Sequence, residues 1–445
     1  MASTRCACVC ATTLCETSLF SSPRQRRREL RLLPLGARVE IVSTEQQQPS
    51  SSSALDLVQV RVGEAEDGWV QRGHLRIKCT AVRRSSSRRL APDGTSGLGR
   101  HEWSKPFFFM QLADSQLGMA ETFPTQPPGW DREEAMLRRA IADINRLRPA
   151  FAIVCGDLVN DYPGQDGSES DLRARQTFDF QLACEMVDPT IPLVCVCGNH
   201  DVGNRPTAES IALYKRVFGD DYFAFTIHGV RCIVLNSQLF KDASGAEKQA
   251  AEQWRWLRDE LAKKDTAAAR HVLCFCHVPP FINAPDEPSA YFNLDVAVRD
   301  ELLSLLASHG VIGCFCGHYH RNAGGIYYPL TGTAAAASRG HHASQGRPQP
   351  LEVVVTGACG VNVTTRETGS PLEIAGMGGA REVVEDISGM RLVQLGEEGM
   401  AHRWYTFREL AKVKPDEVMD PLAVANERDA ADDGGRRPSK KSRVA

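Results

Sequence analysis

The chain predicts an α/β fold class, and three features of its 445 residues carry that prediction. Short apolar runs rich in Val, Ile, Phe and Cys recur and stop at Gly or at polar residues, as buried strands do. Between several of them the apolar residues return every three or four positions, which is the spacing of one helix face. Five runs also release Asp, Asn or His just past their C-terminal ends, where α/β sheets place their chemistry. Leu193-Val194-Cys195-Val196-Cys197 is the clearest case, ending in Gly198-Asn199-His200-Asp201.

Residues 1–32 are poor in core-forming residues and carry Arg24, Arg26, Arg27, Arg28 and Arg31, which reads as a disordered tail. Its hydroxyl and basic residues also suit an organellar import signal, against which Glu16 and Glu29 count. Over 33–80, the alternating runs Leu57–Val62 and Gly68–Leu75 predict a small β-barrel. Gly68, Trp69, Val70 and Leu75 resemble a bacterial SH3-like barrel, which implies a binding module with a peptide partner rather than a catalyst. Residues 81–104 are rich in Ser, Arg and Gly and read as a linker.

From residue 105 the texture changes. Phe107–Leu112 is a strand that ends in Asp114-Ser115-Gln116. Leu137, Ile141, Ile144 and Leu147 mark a helix over 131–147, with Asp131 as its cap. Strands follow at 151–155, which leads into Gly156-Asp157, and at 193–197 and 231–236. Gln253, Trp254, Leu257 and Leu261 mark a helix, then a strand over 271–276 meets His277 and one over 313–316 meets Gly317-His318-Tyr319-His320. The Ala-, Gly- and Ser-rich stretch at 329–350 reads as a surface insertion, and strands return at 351–355, 390–395 and 404–407. From 413 the chain reads as a disordered basic tail ending near Lys440-Lys441-Ser442-Arg443.

A net charge of −3 and a pI near 6.5 give no reason to expect nucleic-acid or membrane partners. No apolar stretch is long enough to span a bilayer. Most of the 15 cysteines sit in apolar runs, and pairs at i and i+2 such as Cys195 and Cys197 share one strand face, so they read as small buried hydrophobes with reduced thiols. The expected compartment is the cytoplasm, with the nucleus (basic tail) and an organelle (N-terminal segment) as alternatives.

The strand ends deliver Asp114, Asp157, Asn199, His200, His277, His318 and His320. Carboxylate with imidazole suits Mn, Fe or Zn, and two aspartates with these histidines suffice for two metal ions if one carboxylate bridges. Asp114-x-Gln116, Gly156-Asp157-x-x-Asn160-Asp161, Gly198-Asn199-His200-Asp201, His277 and Gly317-His318-x-His320 resemble the calcineurin-like metallophosphoesterase family over 105–412. Tyr291-Phe292-Asn293-Leu294 and the residues after His320 are similar to a branch classed as Ser/Thr protein phosphatases.

The resemblance implies a four-layer α/β/β/α sandwich. One metal would take Asp114, Asp157, His320 and Gln116, and the second Asp157, Asn199, His277 and His318. Gln116 departs from the family's His; an amide oxygen is a harder and weaker donor, so this metal should be held less tightly and lean toward Mn or Mg. The implied activity is phosphomonoester hydrolysis by metal-activated hydroxide. Asn199 would neutralise the phosphoryl oxygens, His200 would protonate the leaving group, and Asp201 would hold the His200 imidazole. The substrate is expected to be a phosphorylated protein or a small phosphoester. Phosphodiesterase or nucleotide hydrolase activity is the alternative within the fold, and a weakly catalytic scaffold is the alternative outside catalysis. Arg321 and Asn322 are candidates for substrate contact or for supporting the fold.

Overall fold

The structure, a computed structural model, describes residues 102–419 apart from 124–125, 127, 330–348, 366–380 and 385–386. It also describes the backbone of seven strands nearer the N-terminus: Val9–Thr13, Thr17–Phe20, Glu29–Leu33, Arg38–Ser43, Leu57–Val62, Glu66–Gln71 and Leu75–Ile77. These strands, β1 to β7, form one sheet in the order β3-β2-β6-β5-β4-β1-β7. The rest of the stretches expected to be a tail (1–32), a barrel (33–80) and a linker (81–104) lies outside the described residues. So do nearly all of the 329–350 insertion and the basic tail beyond 419.

The next elements are β8 (Phe107–Leu112), α1 (Asp131–Leu147), β9 (Ala152–Cys155), α2 (Asp171–Cys184), β10 (Leu193–Val196), α3 (Asn199–Val202) and α4 (Ala208–Val217). The middle of the chain forms β11 (Phe223–Ile227), β12 (Val230–Val234), α5 (Gln238–Lys241), α6 (Glu247–Leu261), α7 (Lys264–Ala268), β13 (His271–Phe275), α8 (Val296–Ser308) and β14 (Val311–Cys316). The last are β15 (Ala323–Tyr327), β16 (Leu351–Val355), β17 (Asn362–Thr365), β18 (Arg381–Val384), β19 (Gly389–Leu395), β20 (Met400–Thr406) and α9 (Phe407–Leu410).

Two sheets carry the domain. One runs β10-β9-β8-β19-β20, its first three strands parallel and its last two antiparallel. The other runs β11-β12-β13-β14-β16-β15, with four parallel strands between two antiparallel edges. Side-chain alternation along β8 shows how they stack: Phe107 and Phe109 join one apolar cluster, while Phe108, Met110 and Leu112 join another.

The cluster of Phe109, Phe151, Phe225, Phe275 and Phe315 draws on both sheets and fills the space between them. Phe109 stacks on Phe151 at 4.7 Å and meets Phe275 and Phe315 edge-on at 5.6 and 5.5 Å. A second cluster joins the first sheet to Ile141 and Ile144 of α1, and a third joins the second sheet to Leu257, Leu302 and Leu306 of α6 and α8. Helices therefore cover both outer faces, and the four layers are α/β/β/α as expected.

Two local features bear on the sequence patterns. The first concerns α1, which spans the residues its periodicity predicted, though Trp130, not Asp131, is its N-cap. Asp131 instead joins Glu133 and Glu134 in the first turn, where carboxylates suit the helix dipole. The second concerns the cysteines: those described are free thiols and all buried, as the strand pattern indicated. Packing runs on to Val418, which is buried and whose carbonyl accepts a hydrogen bond from Gln394. No described helix is long and apolar enough to cross a membrane.

Candidate metal centre

Strands β8, β9, β10, β13 and β14 all release their polar residues at one edge, and the backbone turns sharply there. Among the described residues, seven other than glycine have positive φ: Asp114, Gln116, Arg148, Asp157, His228, His318 and His320. Five of these are predicted metal ligands. Left-handed backbone in an L-residue costs of order 1–3 kcal/mol and persists only where the surroundings over-determine it. At these strand ends it swings consecutive ligands toward a common point. Glycine makes the close approach feasible: a Cβ on Gly198 would lie 2.2 Å from Asp157 Oδ1, and one on Gly156 would lie 2.3 Å from His277 Nδ1.

The predicted ligands come together in two groups that share Asp157. Ligand atoms of Asp157, His277 and His318 lie within 4.8 Å of one another, and so do those of Asp114, Asp157 and His320. His277 Nε2 is 3.2 Å from Asp157 Oδ2 and 3.1 Å from Asn199 Oδ1. His320 Nε2 is 3.4 Å from Asp114 Oδ1. The Cys155 carbonyl, 2.8 Å from His277 Nδ1, accepts that nitrogen's proton and leaves the Nε2 lone pair to face the pocket. Asp114 is fixed by the His318 amide at 3.0 Å.

The electrostatics show what this pocket needs. Burial drives the Asp114 carboxyl well above the usual range. It opposes ionisation of Asp157 too, but the His277 and His200 charges prevail and hold that carboxyl low. Burial also disfavours charge on His277, yet Asp157 and Asp114 raise it to about 9. Burial pushes His318 down, and His320 to about 4. Two buried carboxyl groups beside imidazoles that burial largely keeps uncharged make a pocket that divalent cations would neutralise.

Two buried polar atoms are also unanswered, since Gln116 Oε1 and His320 Nδ1 have no hydrogen-bond partner. Gln116 spends its amide nitrogen on Asn160 Oδ1 at 3.2 Å and His200 Nε2 at 2.9 Å, so its oxygen is the atom left to a cation. Carboxylates, amide oxygens and imidazoles in this arrangement fit two divalent cations.

The model of the calcineurin-like phosphoesterase family matches residues 109–322. The serine/threonine-protein phosphatase CPPED1 of Danio rerio is 35% identical over 330 residues, covering 73% of this chain and 92% of that protein. The chain belongs to the calcineurin-like phosphoesterase family. Its relatives under the same name in Bos taurus and Homo sapiens are 36% and 34% identical, covering 74% and 72% of this chain and 93% and 90% of theirs. This phosphoesterase is accordingly a hydrolase of phosphoester bonds, and the family implies two divalent metal ions.

His200 stands beside the calcineurin-like centre, but a different group holds it. Its Nδ1 lies 2.5 Å from the Asn160 carbonyl, and its Nε2 lies 3.1 Å from the Tyr162 hydroxyl. The Tyr162 ring packs on the imidazole with centroids 4.1 Å apart. Asp201, expected to orient His200, instead accepts from the Gly198 amide at 2.7 Å and the Leu158 amide at 3.2 Å. As the third residue of α3 its side chain points back at the cap, so it closes the turn and never reaches the imidazole. Burial, reinforced by Asp157, raises the Asp201 carboxyl to about 7.

Asn199 Nδ2 donates to the Tyr162 hydroxyl at 3.0 Å, and the Tyr291 hydroxyl is 3.5 Å away. Sequence reasoning assigned roles to neither tyrosine nor to the Asn160 carbonyl. Asn160 stands inside the Gly156-Asp157-x-x-Asn160-Asp161 motif, but a backbone acceptor leaves no mark in a sequence. Asn322 proves to support the fold, its Oδ1 accepting from Arg391 at 2.7 Å and from the Gly357 amide at 3.2 Å. The Arg321 guanidinium lies over the Tyr319 ring at 4.7 Å. A groove of about 480 Å³ opens beside His318 and Tyr291 and runs past Asn204, Lys241 and Asp242.

Gln116→His tests the amide directly. The imidazole should tighten metal retention about 10–100-fold, the range that changes around a metal produce. It removes the donor to His200 Nε2, so turnover should not rise in step. Metal titration followed by calorimetry and activity separates the two effects, and unchanged retention would show that Gln116 is no ligand.

Proposed function

We propose that this phosphoesterase is a phosphoprotein phosphatase acting on phosphoserine or phosphothreonine. The observation that carries the reading is the placement of His200 and Asn199 against two carboxylate–imidazole groups that share Asp157. The named activity of the relatives, which match over about three quarters of the chain, supports the substrate class.

Asp114, Gln116, Asp157 and His320 would hold one cation, and Asp157, Asn199, His277 and His318 the other. Mn, Fe or Zn suits the imidazole-rich position, and Mn or Mg the position of Gln116. When bound, such a pair supplies Lewis acidity, acidifying water and offsetting phosphoryl charge. The chain supplies the rest. Asn199 Nδ2 offers a donor to a phosphoryl oxygen. The Asn160 carbonyl holds the His200 imidazole at Nδ1, and Nε2, once protonated and released from the Gln116 amide donor, would deliver the proton to the departing alkoxide.

Hydrolysis of p-nitrophenyl phosphate, bis-p-nitrophenyl phosphate and a phosphoserine peptide, each with Mn²⁺, Mg²⁺ or chelator, tests the proposal. Metal-dependent cleavage of the monoester and the peptide is the expected result. Preference for the diester would replace it with a phosphodiesterase, and metal-loaded protein that cleaves none of the three would replace it with a scaffold.

A further inference from the structure

We propose that Arg173 is the positioning residue for His200, an inference that rests on the role given to His200 above. Its guanidinium is buried at 1% exposure, and its hydrogen bonds go to backbone carbonyls. Nη1 donates to the carbonyls of Asp161 and His200, the latter at 2.8 Å, and Nη2 donates to the Asp201 carbonyl at 3.1 Å. Three backbone acceptors from two separate segments thus converge on one planar fork.

The physical need is specific. Helix α3 is a single turn, so the carbonyls of His200 and Asp201 lack donors within it. Buried carbonyls without donors are expensive, and a charged fork satisfies them with strong, directional bonds. The second segment matters more for the chemistry. Asp161 follows Asn160, whose carbonyl receives His200 Nδ1 at 2.5 Å. The guanidinium therefore sets the separation between the turn that carries the imidazole and the loop that orients it.

The loop is further tied to the start of α2. Ser170 caps that helix by accepting from the Arg173 amide and donates to the Asp161 carboxylate, while Gln176 accepts from the Asp161 amide at 2.8 Å. Asp201, Glu169, Asp161 and Asp157 surround the guanidinium with negative charge. Lysine cannot replace it, because a point ammonium has no rigid fork to span three acceptors.

The test uses the full chain loaded with Mn²⁺ and compares leaving groups. An alkyl phosphate needs a proton for its departing oxygen, whereas p-nitrophenolate departs without one. Arg173→Met should lower turnover of phosphoserine by about 100-fold, the scale of a small misplacement of a reacting group. Turnover of p-nitrophenyl phosphate should fall by no more than a few-fold. In a His200→Ala background the same substitution should add nothing on phosphoserine, since both changes remove one interaction.

Arg173→Lys, which keeps the charge, should fold where Arg173→Met does not and should show the same substrate discrimination. Equal losses on both substrates, or losses that multiply in the His200→Ala background, would overturn the proposal and leave Arg173 as a fold-supporting residue. If His200→Ala itself fails to discriminate between leaving groups, the role of His200 is what falls. If His200→Ala discriminates and neither Arg173 variant does, the inference about Arg173 falls alone.

Discussion

Asp157→Asn should lower phosphatase turnover by about 10²–10⁴-fold and weaken retention of both metals. Its carboxylate belongs to both ligand groups, and it is 2% exposed, so nothing from solvent can replace its charge. Removing one partner from a buried charged arrangement costs roughly 3–5 kcal/mol. At 1.36 kcal/mol for each factor of ten, that corresponds to the range given.

Asparagine is close to isosteric with aspartate, and its Oδ1 can still accept from the His200 amide, which lies 2.9 Å from Asp157 Oδ1 in the wild type. The turn should therefore survive, and the loss should be electrostatic. Elemental analysis after gel filtration, read beside turnover, separates the outcomes. A variant that kept two metals and full turnover would remove Asp157 from its shared position. Loss of one metal alone would assign it to a single site.

The residues that gather at the candidate centre were legible because each stands just past an apolar run, and an abrupt change from apolar to polar survives in one dimension. The helices over 131–147 and 247–261 were legible for a related reason, since each buries only one face. Helix α2 escaped because it is buried almost all round. Phe178 and Phe180 alternate with the buried polar Thr177, Asp179 and Gln181, which leaves no stripe to detect. Strand β15 escaped behind Gly324 and Gly325. No local pattern could show that β19 enters the first sheet beside β8, or that β16 lies between β14 and β15.

Within the site, the error over Asp201 has the same origin. Adjacent His and Asp suggest a pair, but a one-turn helix points their side chains apart, and the capping position claims the carboxylate. Backbone acceptors and left-handed φ values, which decide where His200 and the ligands point, have no residue type of their own.

His200→Ala should reduce turnover of alkyl phosphates by about 10²–10⁴-fold, the contribution expected of a general acid. The two ring nitrogens have different partners. Nδ1 is committed to the Asn160 carbonyl, so Nε2 is the nitrogen that can serve the substrate, where Gln116, Tyr162 and Asn199 also converge. Burial, though opposed by Asp157, keeps this imidazole below its ordinary range, which makes its proton easier to give once acquired.

Removing the ring should leave the two ligand groups in place, because Asp157 keeps the His200 backbone amide and Gln116 keeps its bond to Asn160 Oδ1. Metal content should therefore stay at the wild-type level while turnover falls, the opposite pairing to Asp157→Asn. The deficit should shrink on p-nitrophenyl phosphate, whose leaving group needs no proton. A uniform loss on every substrate, accompanied by loss of metal, would make His200 a support for the ligand shell. An unchanged rate on phosphoserine would remove it from the reaction.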